Sequence, residues 1–305
     1  MGAHSMTGDF RGIYPILYAF FDDSDRLDRV AMRRQVEACI RHGAHGIAIL
    51  GLATEVGKLS LAERRQLVDW AAEDIAGRVP LAVTVAEPSV GAQVEFVRAA
   101  RAAGAAWAIL QPPPGRGLPE GEYVRFFGAV ADRVDLPVAI QNAPEYIGVG
   151  LSPDGIATLR RNHPNFRLLK GEASAVGIRQ VIAATEGKLA VFNGRGGLEL
   201  TDILRAGCAG MVPAPECFDV QVRIYEAMRA GDEAAADALY REILPLITFL
   251  MQSIESFLCY GKRLLARRLG LGPVHSRPPA LAPSEFGLAC LERHAARLGP
   301  LLPDA

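Results

Sequence analysis

Several things are scarce in this 305-residue sequence, and each shortage removes a class of protein. Cysteine appears five times, at Cys39, Cys208, Cys217, Cys259 and Cys290. An odd, scattered set without a CxxC pair argues against both a disulfide framework and a cysteine zinc site. Such usage suits a reducing, cytoplasmic compartment. The six histidines show no HxH or HExxH spacing, so no metal is expected. Charge of neither sign dominates: 33 basic and 34 acidic residues are interspersed, for a formal net charge of −1. That balance leaves no electrostatic footprint for nucleic acid or an anionic membrane, and favours a small-molecule substrate. No apolar run reaches the roughly 18–20 residues of a membrane span. The opening MGAHSMTG lacks the apolar core of a signal peptide, and residues 1–8 read as a disordered start or a cloning scar.

What is present is a rhythm. Short runs rich in Ile, Val, Leu and Ala alternate with longer amphipathic stretches, the pattern of parallel strands joined by crossover helices. Eight strands are expected: Ile13–Phe20, Gly46–Leu50, Leu81–Val85, Trp107–Gln111, Pro137–Gln141, Phe166–Lys170, Leu189–Phe192 and Gly210–Pro213. Helices are expected over Arg29–Arg41, Ala62–Ile75, Val90–Ala102, Glu122–Arg133, Pro153–Arg161 and Leu198–Arg205. Their ends are marked. Ser60 with Glu63 forms a capping-box pattern, Ser152-Pro153 puts proline at a first helical position, and RHGAHG, RAAGAA and RAGCAG each carry a glycine suited to closing a helix. Eight such units predict an α/β fold of the (β/α)₈ TIM barrel type over residues 9–230. Residues 231–305, with further helices over Glu233 to about Leu271 and Pro283–Leu298, are expected as a C-terminal helical extension packed on the barrel. An open doubly wound sheet is the rival, but no GxGxxG follows the first strand.

A barrel of this kind places its chemistry at the C-terminal ends of its strands. The chain has four lysines against twenty-nine arginines, and only Lys170, in NFRLLKGEAS, falls at such an end. Lys58 follows the second strand's loop, Lys188 precedes the seventh strand, and Lys262 lies in the extension. An amine acts as a nucleophile only when neutral, a state that burial favours and that arginine cannot reach. The plain alternative for Lys170 is a strand end whose stem covers the core and whose tip is solvated. Strand alternation puts Glu172 on the same side as Lys170, near enough for general acid or base work, although a carboxylate there also suits the first turn of the next helix. The Gly51–Glu55 loop offers backbone N–H groups and the Thr54 hydroxyl to a substrate carboxylate. It misses the phosphate-loop pattern by one residue, and Leu59 stands where Ser or Thr is needed, so nucleotide binding is rejected. Asn193-Gly194-Arg195-Gly196-Gly197 is either a turn or a binding loop for a distal anion, with Arg195 able to fork onto a carboxylate or several hydroxyls.

These segments together, RGIYPILYAFFDD, GLATEVGKLSLAER, PVAIQNAP, LLKGEAS, AGCAGMVPAPE and the tail AMRAGDEAAADALYREILPLITF, resemble the dihydrodipicolinate synthase and N-acetylneuraminate lyase family of class I aldolases. The resemblance runs from Gly12 to about Arg268. It implies that Lys170 forms a Schiff base with the keto carbon of a 2-keto acid such as pyruvate, that no cofactor is needed beyond this covalent imine, and that the chain assembles as a homo-oligomer, possibly a tetramer. It also implies substrate contacts from Gly51, Leu52, Ala53, Thr54, Asn142 and Met211, with Asn193, Gly194 and Arg195 completing the set.

Three departures matter as much as the matches. Leu52 and Ala53 stand where the family carries threonines. Pro113 and Pro114 replace tyrosines after the fourth strand, including the one a neighbouring subunit lends to the proton relay. Gln141 occupies the place of the catalytic tyrosine, and Tyr146 stands near the place where the synthase carries the arginine that binds a semialdehyde carboxylate. Glutamine followed by Asn142, alanine and proline, with the Lys-x-Glu order of Lys170 and Glu172, is similar to the L-2-keto-3-deoxyarabonate dehydratase branch. The reading is therefore a lyase, dehydratase or aldolase, acting on a 2-keto-3-deoxy sugar acid, with Lys170, Gln141 and Glu172 as its catalytic set. A dihydrodipicolinate synthase-like pyruvate aldolase, a non-catalytic keto-acid-binding barrel and a metal- or phosphate-directed barrel isomerase are the alternatives.

Overall fold

The computed structural model describes residues 10–115 and 117–302; the expected start segment 1–8 lies outside them. Eight parallel strands form: β1 (Gly12–Ile13), β2 (Ile47–Ile49), β3 (Leu81–Val85), β4 (Trp107–Leu110), β5 (Val138–Asn142), β6 (Phe166–Gly171), β7 (Ala190–Asn193) and β8 (Gly210–Met211). Their order is β1-β8-β7-β6-β5-β4-β3-β2, so every neighbour but one is also a neighbour in sequence. The sheet curls until its two ends meet, where Ile16 and Ala48 form a parallel bridge. The Leu17 amide donates to the Ala48 carbonyl and the Ala48 amide to the Pro15 carbonyl, both at 2.9 Å.

The first strand is much shorter than the expected Ile13–Phe20. Pro15 supplies no N–H, so the ladder breaks there. Its neighbours divide their bonds instead: Tyr14 and Ile16 donate to Met211 and Pro213 beside β8, while Leu17 turns to β2. The helical rhythm holds more closely. Helices Arg29–Arg41, Leu61–Ile75 and Val90–Ala103 lie within a residue of expectation, and Ser60 with Glu63 closes both halves of the capping box. Gly104 ends Val90–Ala103 with φ of 111°, a conformation glycine adopts at no steric cost. Helices Glu120–Ala131, Pro153–Asn162, Ala175–Ala184 and Leu200–Arg205 supply the later crossovers, Phe218–Arg229 follows β8, and a four-residue helix, Pro144–Ile147, follows β5.

Inside the curled sheet, Tyr14, Trp107 and Phe192 pack with ring centroids 5.3–5.6 Å apart. Each such ring removes roughly 150–250 Å² from water, about 4–6 kcal/mol of burial. Aromatics are few, and these three fill the centre.

The expected helix from Glu233 to about Leu271 is broken. Glu233–Leu250 and Ile254–Arg268 meet at 109°, and among the described residues no single helix is long and apolar enough to cross a membrane. Ser253 caps the second arm, and Phe257–Gly261 is wound as a π-helical turn, which swells the helix where it passes the C-terminal rim of the strands.

Under that turn, Tyr18 donates to Glu216 Oε2 at 3.0 Å, with both residues buried. Burial pushes the Glu216 carboxyl up to about 7 from its usual 4.5. The folded chain thus keeps a proton there that the unfolded chain releases near pH 4.5, so stability falls as pH rises between these values and is level above them. At about 1.4 kcal/mol per pH unit, the loss is on the order of 3 kcal/mol. Glu216→Gln is expected to flatten this slope and raise Tm at pH 8 while changing little at pH 4.5. Parallel melting curves for the two proteins across that range would contradict it.

Candidate active site

The C-terminal ends of β5 and β6 carry a line of buried polar side chains. Gln141 of β5 and Lys170 of β6 are register partners. Lys170 is 4% exposed and Glu172 3%. Lys170 Nζ donates to Glu172 Oε1 at 2.6 Å, and Gln141 Nε2 donates to the same oxygen at 2.6 Å. Gln111, just past β4, donates to Gln141 Oε1 at 2.8 Å. The chain of bonds runs Gln111 to Gln141 to Glu172, and its direction leaves the carboxylate as common acceptor for an amide and an amine. Glu172 is no helix cap. Ser174 performs that task for Ala175–Ala184, accepting from the Gly177 amide.

Room for Glu172 depends on Gly194. A Cβ at that position would lie 2.8 Å from Glu172 Cγ. The glycine that sequence alone leaves between turn and binding loop is therefore a close-approach position. It lines the same hollow as Lys170, Glu172 and Tyr146, together with Gly196, Leu52 and Ala53. The other walls are apolar: Ile16, Val212 and Ala214 from the strand side, and Met251, Ile254 and Phe257 from the broken C-terminal helix. Nothing in composition or spacing singles out these last three, because apolar residues on a helix read as ordinary core.

The Gly51–Glu55 loop is held from below. Thr54 Oγ1 donates to the Leu17 carbonyl at 2.6 Å and accepts from the Leu50 amide at 3.0 Å, so its hydroxyl serves the loop and not the hollow. The amides of Thr54 and Glu55 bond back to Gly51 and Leu52. Among the described residues, the Leu52 and Ala53 amides donate to no protein acceptor, and two such N–H groups are what a carboxylate needs. Leu50 and Glu55 bracket the loop with φ of 66° and 56°. Glu55 holds that left-handed conformation while accepting from Lys58 at 2.7 Å and from the buried Lys262. Lys262 Nζ also lies 5.1 Å from the centre of the Phe21 ring. Burial pulls the Lys262 ammonium below its usual range, and Glu55 opposes this. Lys262 is thus a second buried lysine beside a glutamate, but it does not line the hollow.

The remaining expected contacts are used in building the site. Asn142 clasps Leu151 twice, donating to its carbonyl at 3.0 Å and accepting from its amide at 2.6 Å. Asn193 donates to the Ala173 carbonyl and accepts from the Arg195 amide, each at 3.0 Å. Met211 is fully buried in β8. Arg195 Nη1 donates to Glu199 at 3.1 Å, and Nη2 lies 3.4 Å from Glu145. Its two Nη atoms face carboxylates of the chain itself, while its buried Nε has no hydrogen-bond partner among the described residues. Among the described residues, no group of three His, Cys, Asp or Glu is arranged as a metal site. Among the described residues, a larger hollow near the opposite strand ends, around Arg11, Cys208, Tyr225 and Arg229, is lined by neither a lysine nor a carboxylate.

This geometry can be set beside known proteins. A 4-hydroxy-tetrahydrodipicolinate synthase from Methanoculleus marisnigri is 33% identical over 245 residues, covering 78% of this chain and 83% of that one. An L-2-keto-3-deoxyarabonate dehydratase from Azospirillum brasilense is 32% identical over 254 residues, 80% of each. Among solved structures, YagE, a prophage protein of Escherichia coli K12 in complex with pyruvate, superposes with a TM-score of 0.86 at 25% identity, covering 94% of this chain and 98% of that one. A model of the dihydrodipicolinate synthetase family matches residues 9–292, from before β1 into the last helix. A lysine at the end of the sixth of eight parallel strands, a loop of unspent amides opposite it and this near-complete match lead to one conclusion: the chain belongs to the dihydrodipicolinate synthetase family.

Proposed function

We propose that this enzyme is a Schiff-base lyase for a 2-keto-3-deoxy sugar acid such as 2-keto-3-deoxyarabonate, with dehydration as its reaction. In this reading, residues 9–230 are a (β/α)₈ barrel and 231–305 a helical extension closing one side of the site, within a cytoplasmic homo-oligomer that uses no cofactor. The observation that carries it is the 2.6 Å contact of Lys170 Nζ with a carboxylate oxygen that Gln141 also holds. Glu172 relieves Lys170 of a proton, the neutral amine attacks C2, and Glu172 returns that proton to the departing oxygen, so that water leaves the protonated imine and Glu172 is again a carboxylate. The substrate carboxylate lies against the Leu52 and Ala53 amides. Glu172, 2.6 Å from the nitrogen that becomes the imine, then takes a proton from C3, and the resulting enamine expels the C4 hydroxyl. Gln141 acts through Glu172 as a positioning residue, since an amide does not shuttle protons as a phenol does. The Azospirillum relative named as a dehydratase and the loss of the family's tyrosine support dehydration.

Aldol cleavage passes through the same kind of enamine. The synthase named among the relatives keeps that second reading open. The first test is borohydride trapping with pyruvate and mapping of the labelled peptide. The adduct is expected on the Lys170 peptide and not on that of Lys262. Products from a panel of 2-keto-3-deoxy sugar acids then separate the readings: water loss without pyruvate release marks the dehydratase, and pyruvate with a shortened aldehyde marks the aldolase. A trapped adduct with no turnover across the panel would favour a binding barrel.

A further inference from the structure

The hollow around Lys170 leaves one proton-carrying group unassigned. Among the described residues that line it, Lys170, Glu172 and Tyr146 alone carry side chains that can give or take a proton; the rest are aliphatic residues, glycines, Met251 and Phe257. Dehydration occupies two of the three. Lys170 is consumed in the imine, and Glu172 takes the C3 proton. The departing C4 oxygen still needs a donor, and the amides Gln111 and Gln141 cannot supply one.

We propose that Tyr146, on the short helix after the fifth strand, is that donor, a catalytic phenol. The inference rests on the reading of the chain as a Schiff-base dehydratase. It stands on placement. Tyr146 sits on Pro144–Ile147, one turn beyond β5, and shares the hollow's wall with Lys170 and Glu172. The segment carrying it is pinned at both ends: Asn142 clasps Leu151 by two hydrogen bonds, and Gly148 ends the helix with φ of 72°. The charged groups facing the phenol are Arg195, Glu145 and Glu172. Burial is the largest influence on it and raises its pKa; the hydrogen bond with Arg195 works the other way. The phenol therefore holds its proton at neutral pH, as a donor must.

The step balances. Glu172 takes a C3 proton, and the bonding pair left behind makes the enamine. The enamine pair then forms the C3–C4 double bond while the C4–O bond breaks. The Tyr146 proton joins the departing oxygen, which leaves as water. The phenolate regains a proton from the Glu172 carboxyl, and water hydrolyses the iminium to free Lys170.

Tyr146→Phe separates this role from the earlier steps. Pyruvate exchanges its methyl protons with deuterium oxide through Lys170 and Glu172 alone. In the variant, borohydride trapping and this exchange are expected within about threefold of wild type, which also shows that the protein is folded. Dehydration of the sugar acid that the wild type turns over is expected to fall about 100-fold in kcat with KM little changed, the scale of a lost general acid. Unchanged dehydration would overturn the proposal, with protonated Glu172 then serving both sites. Exchange falling together with dehydration would also overturn it, because Tyr146 would then be holding Glu172 in place. Failure of the wild type itself to trap pyruvate or to dehydrate any acid in the panel would instead remove the underlying reading, and this role with it.

Discussion

Lys170→Ala is expected to lose borohydride trapping completely and to lower turnover by about 10⁴-fold or more, the scale on which covalent catalysis fails without its nucleophile. Alanine leaves Glu172 buried with Gln141 as its remaining partner of the two. A buried carboxylate without its cation costs about 3–5 kcal/mol, so Tm should fall as well. Lys170→Arg separates these effects. Its guanidinium keeps the charge beside Glu172 but stays protonated, so the variant should melt closer to wild type and be equally inactive. Trapping of pyruvate by either variant would show that another amine is the nucleophile, and Lys262 is then the residue to examine.

Glu172→Gln is expected to lower kcat by about 10²–10⁴-fold, the contribution of a positioned general base. The amide keeps the shape and can accept from Gln141, but it cannot take the proton of the Lys170 amine or of C3. Imine formation should slow without disappearing, because water can replace the base when the nucleophile is in place. Deuterium exchange at the pyruvate methyl should be lost more completely than trapping. If both rates stayed near wild type, Glu172 would be only the counter-ion of Lys170. The contrast with Tyr146→Phe is sharp: one variant stops exchange, and the other leaves exchange intact and stops elimination.

How much of this could be read in advance differs from element to element. Lys170 was legible because two local patterns agree on it: a buried apolar run that ends in lysine, and a rhythm of strands and helices that puts such an end on the active rim. The side of Glu172 followed from strand alternation, which depends only on backbone geometry. The first strand was read too long because its apolar run continues past Pro15, while the missing N–H at that proline stops the ladder. Met251, Ile254 and Phe257 could not be found. Their place in the wall depends on a 109° bend more than 80 residues after Lys170, and nothing local tells such a helix from core.

The polar residues engaged within the chain make the same point. Asn142, Asn193, Arg195 and Thr54 have the right chemistry for substrate, and a sequence read alone gives no reason to withhold them. Each has a partner within the chain, Leu151, Ala173, Glu199 or Leu17, while among the described residues the buried Nε of Arg195 is left without one. Hydrogen-bonding capacity is a property of a residue type, but whether it is already used depends on what the fold brings within 3 Å. The amino-acid sequence by itself determined the alternation of strands and helices, the buried lysine at a strand's C-terminal end and the carboxylate beside it, since all are set by local spacing. Tertiary structure alone decided which polar groups remain available, which apolar residues wall the site, and that Tyr146 shares a hollow with Lys170, because each depends on contacts between distant segments.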